Sequence, residues 1–372
     1  MNLLPVVPGI GGSWHYIANL LASLAGHDDQ NEYVGFVTGA SAPIFPVTRN
    51  FTAVNVRLHA PFRPLRVVYE STRFASLSRG YHLDVMHHLF GTLPFMASQP
   101  TVVTVCDLMA FARPQDFSQV KRAYLRLMRW RVATSATMLA PMSHATAETL
   151  RDWMGVPSER MRIVPPAMPK HYTRATDDVA AAFRARHGLP DEFWLCVAGD
   201  YPHKNISRLI EAYARMRSRL PEGWSLVIRG SATPDLQRRV AHFGVQSKVQ
   251  FLPWLSDEEM PLLYSAASAL IFPSLFEGGG LPVLEAMACE CPVVASDLPT
   301  TREFAGGAAL TFDPGSISDM SRAMEESERS PQARADCRQV GLARVAQFAP
   351  SVAARACLDA YREAVTQYAS TA

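Results

Sequence analysis

The stretch Pro273-Ser274-Leu275-Phe276-Glu277-Gly278-Gly279-Gly280-Leu281-Pro282-Val283-Leu284-Glu285-Ala286-Met287-Ala288 places two carboxylates on either side of three consecutive glycines. The apolar run before it predicts the end of a buried strand, and the pattern after the glycines predicts a helix over 281–288. The glycines allow positive φ and a close backbone approach. Orphan N–H groups and the helix dipole at the helix start attract a phosphate. The predicted substrate-binding residues here are Glu277, Gly278, Gly279, Gly280, Leu281 and Glu285.

The two glutamates suggest what lies beside the phosphate. Carboxylates accept hydrogen bonds from vicinal hydroxyls, so a sugar and a ribose are natural partners. The plainer alternative is that Glu277 is a capping or solvated residue in an ordinary turn between strand and helix. The pattern continues on both sides, which favours the binding interpretation. The flanking segments that continue it are 249–256, 260–267, 291–297 and 303–310.

Taken together, these segments resemble the C-terminal domain of the retaining glycosyltransferases of family four, which carry a Glu-x7-Glu signature. The resemblance covers the second half of the chain more strongly than the first. It implies the GT-B fold: an α/β protein with two Rossmann-like, doubly wound parallel-sheet domains that face each other across a cleft. It also implies that Glu277 holds the hydroxyls of a donor sugar and that Glu285 holds the ribose of its nucleotide.

A second motif lies in the segment Gly199-Asp200-Tyr201-Pro202-His203-Lys204-Asn205-Ile206, ahead of a predicted helix. Lys204 can pair with a diphosphate as a point charge, and the alternative is an ordinary surface lysine. In the family this position is the phosphate-binding lysine, and an arginine usually accompanies it. Asp200 and His203 occupy the places where that arginine is found, which we interpret as a variant of the motif, with His203 and Lys204 in the binding site.

The first half departs from the family pattern. The segment Val102-Val103-Thr104-Val105-Cys106-Asp107-Leu108 matches one that normally reads His-Asp-Leu, whose histidine contacts the donor. Cys106 replaces that histidine, and a thiol is a weak donor and no cation near neutral pH. Asp107 is retained and is expected to orient the loop. His87 and His88 end the preceding strand, where a structural role is favoured over a place in the cleft.

Two further positions belong to the predicted binding site. The segment Pro8-Gly9-Ile10-Gly11-Gly12-Ser13 joins a first strand to a helix, and Gly11 and Gly12 are predicted to meet an anion there. The glycine spacing does not match a nicotinamide-binding loop. Trp254 falls where the family backbone meets the nucleotide base, although it is equally compatible with a core position.

Composition sets the class of protein. The 372 residues are 48% hydrophobic and 19% charged, as in a folded α/β enzyme, and this length predicts two domains. No apolar run of about 18 residues appears, and the start lacks the features of a signal peptide. The six cysteines are scattered, which argues against a disulfide framework and against a zinc site. We therefore expect a cytoplasmic protein that binds no metal.

Charge is unevenly placed along the chain. Residues 1–170 hold 16 Lys and Arg against 10 Asp and Glu, although the net charge of the chain is only +2. The basic residues cluster among apolar ones at Arg63, Arg66, Arg73 and Arg79 and at Lys121, Arg122, Arg126, Arg129 and Arg131. Such a face can lie peripherally on the inner surface of a membrane or can simply be solvated. A pI near 8.2 argues against nucleic acid as a partner.

Strand and helix patterns alternate through both halves, which predicts a parallel sheet in each. Residues 1–7 are predicted as the first strand, and residues 164–190, rich in proline and glycine, as the connection between domains. We expect an acceptor-side domain over 1–168 and a nucleotide-sugar-binding domain over 169–350. The resemblance adds a last helix, 351–372, that crosses back to the N-terminal domain.

The resemblance implies a retaining, metal-independent glycosyltransferase that uses no cofactor beyond its donor substrate. It would move a hexose from a nucleoside-diphosphate sugar to a glycan or lipid-linked acceptor in bacterial surface polysaccharide synthesis, as in lipopolysaccharide. GDP-mannose is the donor it suggests first. The alternative, motivated by Cys106, is a non-catalytic GT-B protein that binds a sugar nucleotide or serves as a scaffold. The residues assigned to catalysis are Glu277, Lys204, Asp107 and Cys106.

Overall fold

The computed structural model describes residues 1–7, 12–58, 63–95, 99–221 and 223–371. The chain divides into two compact units. The first contains residues 1–167 together with 348–372, and the second contains residues 168–347. Among the described residues, no helix is both long enough and apolar enough to cross a membrane.

The first unit is built of parallel strands and helices. Its elements up to residue 154 are α1 (Ser13–His27), β1 (Tyr33–Val37), β2 (Phe51–Asn55), α2 (Arg63–Thr72), α3 (Phe74–Arg79), β3 (Met86–His88), β4 (Thr101–Val105), α4 (Met109–Ala112), α5 (Gln119–Ser135), β5 (Met138–Pro141) and α6 (His144–Met154). The strands pair in parallel in the orders β1-β2 and β3-β4-β5. Ser143 accepts a hydrogen bond from the Thr146 N–H and so caps α6.

The segment 1–7 differs from the prediction of a first strand. Only Asn2 pairs there, in parallel bridges to Phe36 and His88, and it thereby joins the two sets of strands. A turn at Leu4 and Pro5 follows at once, because Pro5 has no N–H to continue a ladder.

The second unit holds a six-stranded sheet. Its elements are α7 (Asp177–His187), β6 (Phe193–Val197), α8 (Ile206–Met216), β7 (Ser225–Arg229), α9 (Pro234–His242), β8 (Val249–Leu252), α10 (Met260–Ala266), β9 (Ala269–Phe272), α11 (Leu281–Ala288), β10 (Val293–Ser296), α12 (Pro299–Ala305), β11 (Ala309–Phe312), α13 (Ile317–Arg329) and α14 (Pro331–Val345). The strand order is β11-β10-β9-β6-β7-β8, and every neighbouring pair is parallel.

In this order the topological switch point of the sheet lies between β6 and β9. The chain runs from β6 outward to β8 on one side, then returns to β9 and runs outward to β11 on the other. In open α/β sheets ligands bind outside the carboxyl ends of the strands at such a switch point. The segments that follow β6 and β9 contain Lys204 and Glu277, so the topology brings both sequence motifs to one place.

Helix α7 lies inside the segment that composition alone assigned to the connection between domains. Asp177 and Asp178 occupy its first turn, where the helix dipole stabilises their carboxylates. Gly188 ends the helix in the left-handed conformation with φ 59°. The glycine therefore marks a helix end, and the prediction of a connection running to residue 190 is too long.

The final helix, α15 (Pro350–Thr371), belongs to the first unit and packs against α1 and β5. Arg162 pairs with Glu363 on this helix, and the Gln367 side chain donates to the Glu159 carbonyl at 2.6 Å. These contacts fasten residues at the end of the chain to the unit in which the chain begins.

Candidate active site

The loops after β6 and β9 meet through an ion pair. Nζ of Lys204 lies 2.5 Å from Oε1 of Glu277, and both side chains are largely buried. The Leu275 N–H donates to the His203 carbonyl at 2.7 Å, which ties the two loops together along the backbone. The structure therefore brings together two of the four residues assigned to catalysis, although 73 positions separate them in the chain.

Asn205 fixes this junction, and sequence reasoning assigned it no role. It occupies the N-cap position of α8 with φ 59°, a left-handed conformation that asparagine tolerates better than most residues. Its side-chain amide donates to the carbonyls of Pro273 and Pro314, each at 3.0 Å. A Lys-Asn pair just before a predicted helix was the available signal, because asparagine is enriched at left-handed turn positions.

The sequence permits positive φ at the three glycines, but the structure does not use it there. None of them is among the described glycines with positive φ, and φ at Gly280 is −137°. Space explains Gly280 better, since a Cβ there would lie only 3.2 Å from Cδ2 of Phe304. Helix α11 begins at Leu281 as predicted, with no side-chain cap at Gly280. Pro282 contributes no N–H to the first turn.

Glu285 lies in the second turn of α11 in a partly buried position. Its Oε2 accepts a hydrogen bond from the Tyr264 hydroxyl at 2.7 Å. Burial raises the pKa of Glu285 to about 7, against the lowering effect of the Tyr264 hydrogen bond. Asp257 raises this pKa further, while the charge of Arg229 lowers it. The carboxyl group therefore changes charge near neutral pH.

Trp254 is not a core residue. Its side chain is 60% exposed, and the guanidinium of Arg229 stacks 3.6 Å from the ring centroid. Both residues line a cavity of about 380 Å³ at the carboxyl ends of β6, β7 and β8. Sequence reasoning did not single out Arg229, because an arginine that ends a buried strand belongs to no motif.

His203 and Asp200 stand where the family usually carries an arginine. His203 is buried, and its ring stacks with that of Tyr201 at 5.8 Å between centroids. Asp200 accepts a hydrogen bond from the Thr233 hydroxyl at 2.5 Å, at the start of α9. The acidic side chain therefore braces a neighbouring helix.

In the first unit, Cys106 follows β4 and is partly buried. Burial raises the pKa of its thiol to about 12, and the charge of Asp107 adds to this effect. The thiol is therefore neutral at physiological pH. Asp107 accepts a hydrogen bond from the Met109 N–H at 2.9 Å, so it orders the turn that leads into α4.

His87 and His88 are buried in hydrogen-bonded positions. Nδ1 and Nε2 of His87 each lie 2.8 Å from a hydroxyl, those of Tyr361 and Thr104 respectively. His88 contacts the Asn2 amide at 3.2 Å. Burial lowers the pKa of His87 well below its usual range and that of His88 to about 3. These contacts confirm the structural interpretation of the pair.

The remaining predicted anion-binding residues lie at the start of α1. Gly11 is outside the described residues. Gly12 precedes α1 with φ −81°, and a Cβ added to it would meet nothing within 4 Å. At Gly12, therefore, neither φ nor space requires a glycine. Among the described residues, no group of three or more His, Cys, Asp or Glu side chains is arranged to hold a metal ion.

Comparison with solved structures bears on the fold. The chain superposes on sucrose-phosphate synthase from Thermosynechococcus elongatus with a TM-score of 0.77 at 19% identity, covering 97% of this chain and 94% of the other. It superposes on WaaG, a glycosyltransferase involved in lipopolysaccharide biosynthesis, with a TM-score of 0.76 at 15% identity, covering 95% and 97%. These similarities confirm the GT-B fold predicted from the sequence.

Sequence relatives include two mannosyltransferases. The chain is 27% identical over 250 residues to the O-antigen chain mannosyltransferase RfbU of Salmonella typhimurium, which covers 66% of this chain and 65% of that protein. It is 28% identical over 222 residues to the serotype-specific mannosyltransferase WbdA of Escherichia coli, which covers 57% of this chain. The match spans only 27% of the length of WbdA.

Two family profiles match the chain in succession. Residues 10–169 match Glycosyltransferase Family 4, and residues 180–343 match Glycosyl transferases group 1. Together they account for most of both units, including the Lys204–Glu277 pair and Glu285. The chain therefore belongs to the GT-B glycosyltransferases that combine these two domains.

Proposed function

We propose that this protein transfers a hexose, mannose in the first instance, from a nucleoside-diphosphate sugar to a glycan or lipid-linked acceptor of a bacterial surface polysaccharide. GDP-mannose is the proposed donor and the cytoplasm the proposed location. The observation that carries the proposal is the Lys204–Glu277 pair at the switch point of the sheet, with Glu285 in the helix that follows. The two mannosyltransferases named above support mannose as the sugar.

The roles follow from the chemistry of each group. The Lys204 ammonium has three donors, so it can bind a diphosphate oxygen while it still contacts Glu277. Glu277 accepts hydrogen bonds from the donor sugar, and Glu285 accepts them from the ribose. As the bond from sugar C1 to the phosphate oxygen breaks, the acceptor oxygen bonds to C1 on the same face. The acceptor proton passes to the departing phosphate oxygen. Because the new bond forms on the face that the phosphate leaves, the anomeric configuration is retained.

Charge stabilisation in this scheme comes from Lys204 and from backbone N–H groups, without metal. No other cofactor is proposed. Cys106, which is neutral, motivates the second candidate, a GT-B protein that binds a sugar nucleotide but transfers nothing. The two candidates share the donor site and differ in turnover alone.

Transfer is tested by incubating the protein with labelled GDP-mannose and a membrane fraction that contains acceptor lipids, with and without EDTA. Label that moves to the lipid or glycan fraction, with retained anomeric configuration by NMR and no effect of EDTA, supports the full proposal. Binding of the donor without transfer or hydrolysis selects the non-catalytic alternative. Inversion of configuration would overturn the retaining mechanism, and loss of activity in EDTA would overturn metal independence.

We also propose that helix α5 rests on an anionic membrane surface that carries the acceptor. Leu127 and Trp130 are 52% and 63% exposed, and Val120 is exposed on the same side of the helix. Lys121 and Arg126 are exposed beside this apolar strip, and α5 contains no acidic residue. An exposed apolar strip with basic flanks fits the headgroup region of anionic lipid.

Two other basic residues of α5 bond to backbone carbonyls within the first unit. Arg131 donates to the Pro94 carbonyl at 2.6 Å, and Arg129 donates to the Gly91 carbonyl. Flotation with vesicles that contain anionic phosphatidylglycerol, compared with phosphatidylcholine alone, tests the contact. Leu127→Glu should abolish flotation, whereas Trp153→Ala, which alters a 51% exposed tryptophan on α6, should leave it unchanged. Equal flotation of both variants would refute the assignment of α5.

A further inference from the structure

The guanidinium of Arg229, at the end of β7, is buried but poorly satisfied. Only 8% of the residue is exposed. One terminal nitrogen donates to the Leu255 carbonyl at a long 3.4 Å, and Nε has no hydrogen-bond partner. Buried charged groups are normally fully hydrogen-bonded, because their removal from water is costly. A ligand that brings hydrogen-bond acceptors would complete this set.

The position of Arg229 fits a ligand-contacting role. It lines the 380 Å³ cavity at the carboxyl ends of β6, β7 and β8, with Gly199, Gly230 and Trp254 among its neighbours. The stacking of the guanidinium on Trp254 at 3.6 Å holds its plane in one orientation. Gly230 lets its backbone approach the backbone of Ala198 closely, since a Cβ there would lie 2.1 Å from the Ala198 carbonyl oxygen. The cavity is thus walled by backbone on one side and by a fixed planar cation on the other.

Arg229 also lies within electrostatic reach of Glu285, whose pKa its charge lowers. If Glu285 holds the ribose, the base that is attached to that ribose must lie nearby. This step rests on the proposed function, because it takes the donor site from there. The exposed Trp254 and the buried Arg229 both line the cavity beside these strand ends, so both are available to contact the base.

A guanidinium offers only donors, in a planar fork that matches two adjacent acceptors. Guanine presents such a pair in O6 and N7, whereas adenine presents a donor at N6 beside N7. We propose that Arg229 is a specificity-determining residue that donates to O6 and N7 of a guanine base and so selects GDP sugars. Trp254 acts as the positioning residue, because its ring stacks on the guanidinium and fixes the orientation of that plane.

Nucleotide analogues test this on the unmodified chain. Calorimetry with GDP, IDP, 7-deaza-GDP, ADP and UDP separates the atoms involved, since IDP keeps O6 and N7 while 7-deaza-GDP lacks N7. We expect GDP and IDP to bind alike and 7-deaza-GDP and ADP to bind roughly tenfold or more weakly. Equal binding of GDP and 7-deaza-GDP would overturn the proposal.

Variants supply the second arm. Arg229→Lys keeps the charge but loses the planar pair of donors. The affinity for GDP should therefore fall roughly tenfold, while the affinity for ADP should stay unchanged. Arg238→Gln, on the exposed face of α9, is the matched control and should change neither. Equal weakening of all nucleotides by Arg229→Lys would assign the residue to the diphosphate and overturn the base assignment.

The outcomes also separate this inference from the proposed function. Preference for UDP, with binding lost in Glu285→Ala, would leave the sugar-nucleotide site standing and refute the role of Arg229. Absence of binding by every nucleotide would refute both.

Discussion

The two units differ in the charged groups that they place after their strands. In the second unit, Nζ of Lys204 and Oε1 of Glu277 form an ion pair 2.5 Å apart. In the first unit, burial keeps His88 and Cys106 neutral, with pKa values of about 3 and about 12. Stabilisation of a diphosphate requires fixed positive charge or aligned donors. The second unit therefore holds the electrostatic part of the proposed chemistry, and the family histidine that Cys106 replaces has no charged substitute among His87 and His88.

The largest loss of donor affinity is expected on substitution of Lys204, which tests this contrast. Lys204→Ala removes the cation proposed for the diphosphate and should weaken GDP-mannose binding by about 2 kcal/mol, the scale of a hydrogen bond to a charged group. The loss should shrink as salt rises, because ions screen the attraction. Calorimetry at low and high salt measures it, with Lys170→Ala as the control. An equal loss at both salt concentrations would argue against a phosphate role.

The next effect concerns Glu285. Its pKa of about 7 lies above its ordinary 4.5, so the folded state holds the proton more tightly than the unfolded state. This group's contribution to stability should therefore fall as pH rises from about 4.5 to about 7. Nucleotide affinity should rise across pH 7, because the carboxylate is the stronger acceptor for ribose hydroxyls.

Glu285→Gln should flatten both pH dependences and weaken binding by about 1–3 kcal/mol. Thermal unfolding and calorimetry between pH 5 and 8 provide the two readouts. A variant with unchanged donor affinity would remove Glu285 from the ribose site.

A smaller effect is expected at Cys106. Cys106→His restores a side chain that can be charged, and the rate of transfer should rise while donor affinity changes little. Cys106→Ser, which stays neutral, is the matched variant and should leave the rate as it is. A silent histidine substitution would mean that position 106 only packs beneath the loop.

The smallest effect tests backbone strain in the second unit. Glu290 follows α11 with φ 55°, a conformation that costs a non-glycine residue about 1 kcal/mol. Glu290→Gly should raise the free energy of unfolding by up to about 0.5–1 kcal/mol, since greater freedom in the unfolded chain offsets part of the gain. Gly155→Ala is the reverse control: φ there is 63°, and an added Cβ meets nothing within 4 Å. It should destabilise the protein by a similar amount.

Local patterns predicted the second unit well. The apolar run, the glycines and the helical pattern located α11 at residues 281–288, and the carboxylate spacing located Glu277 and Glu285. The pairing of Lys204 with Glu277 was beyond local reasoning, because it depends on which strands are neighbours in the sheet. Arg229 was missed for the same reason: its environment is made by α10, α11 and the loop that contains Trp254.

The predictions that were wrong share a physical origin. The connection up to residue 190 was inferred from proline and glycine content, whereas Gly188 ends helix α7. The first strand was inferred from apolar residues, but Pro5 ended it after one bridge. Glycine and proline signal that the chain turns, and only packing decides what kind of turn it makes.

The proposed function requires that the second unit bind a nucleoside-diphosphate sugar through Lys204, Glu277 and Glu285. Calorimetric titration of the purified protein with GDP-mannose, UDP-glucose and ADP-glucose in the absence of metal tests it most directly. We expect GDP-mannose to bind and its binding to be strongly reduced in both Lys204→Ala and Glu285→Ala. Failure of every sugar nucleotide to bind, or full affinity in both variants, would contradict it.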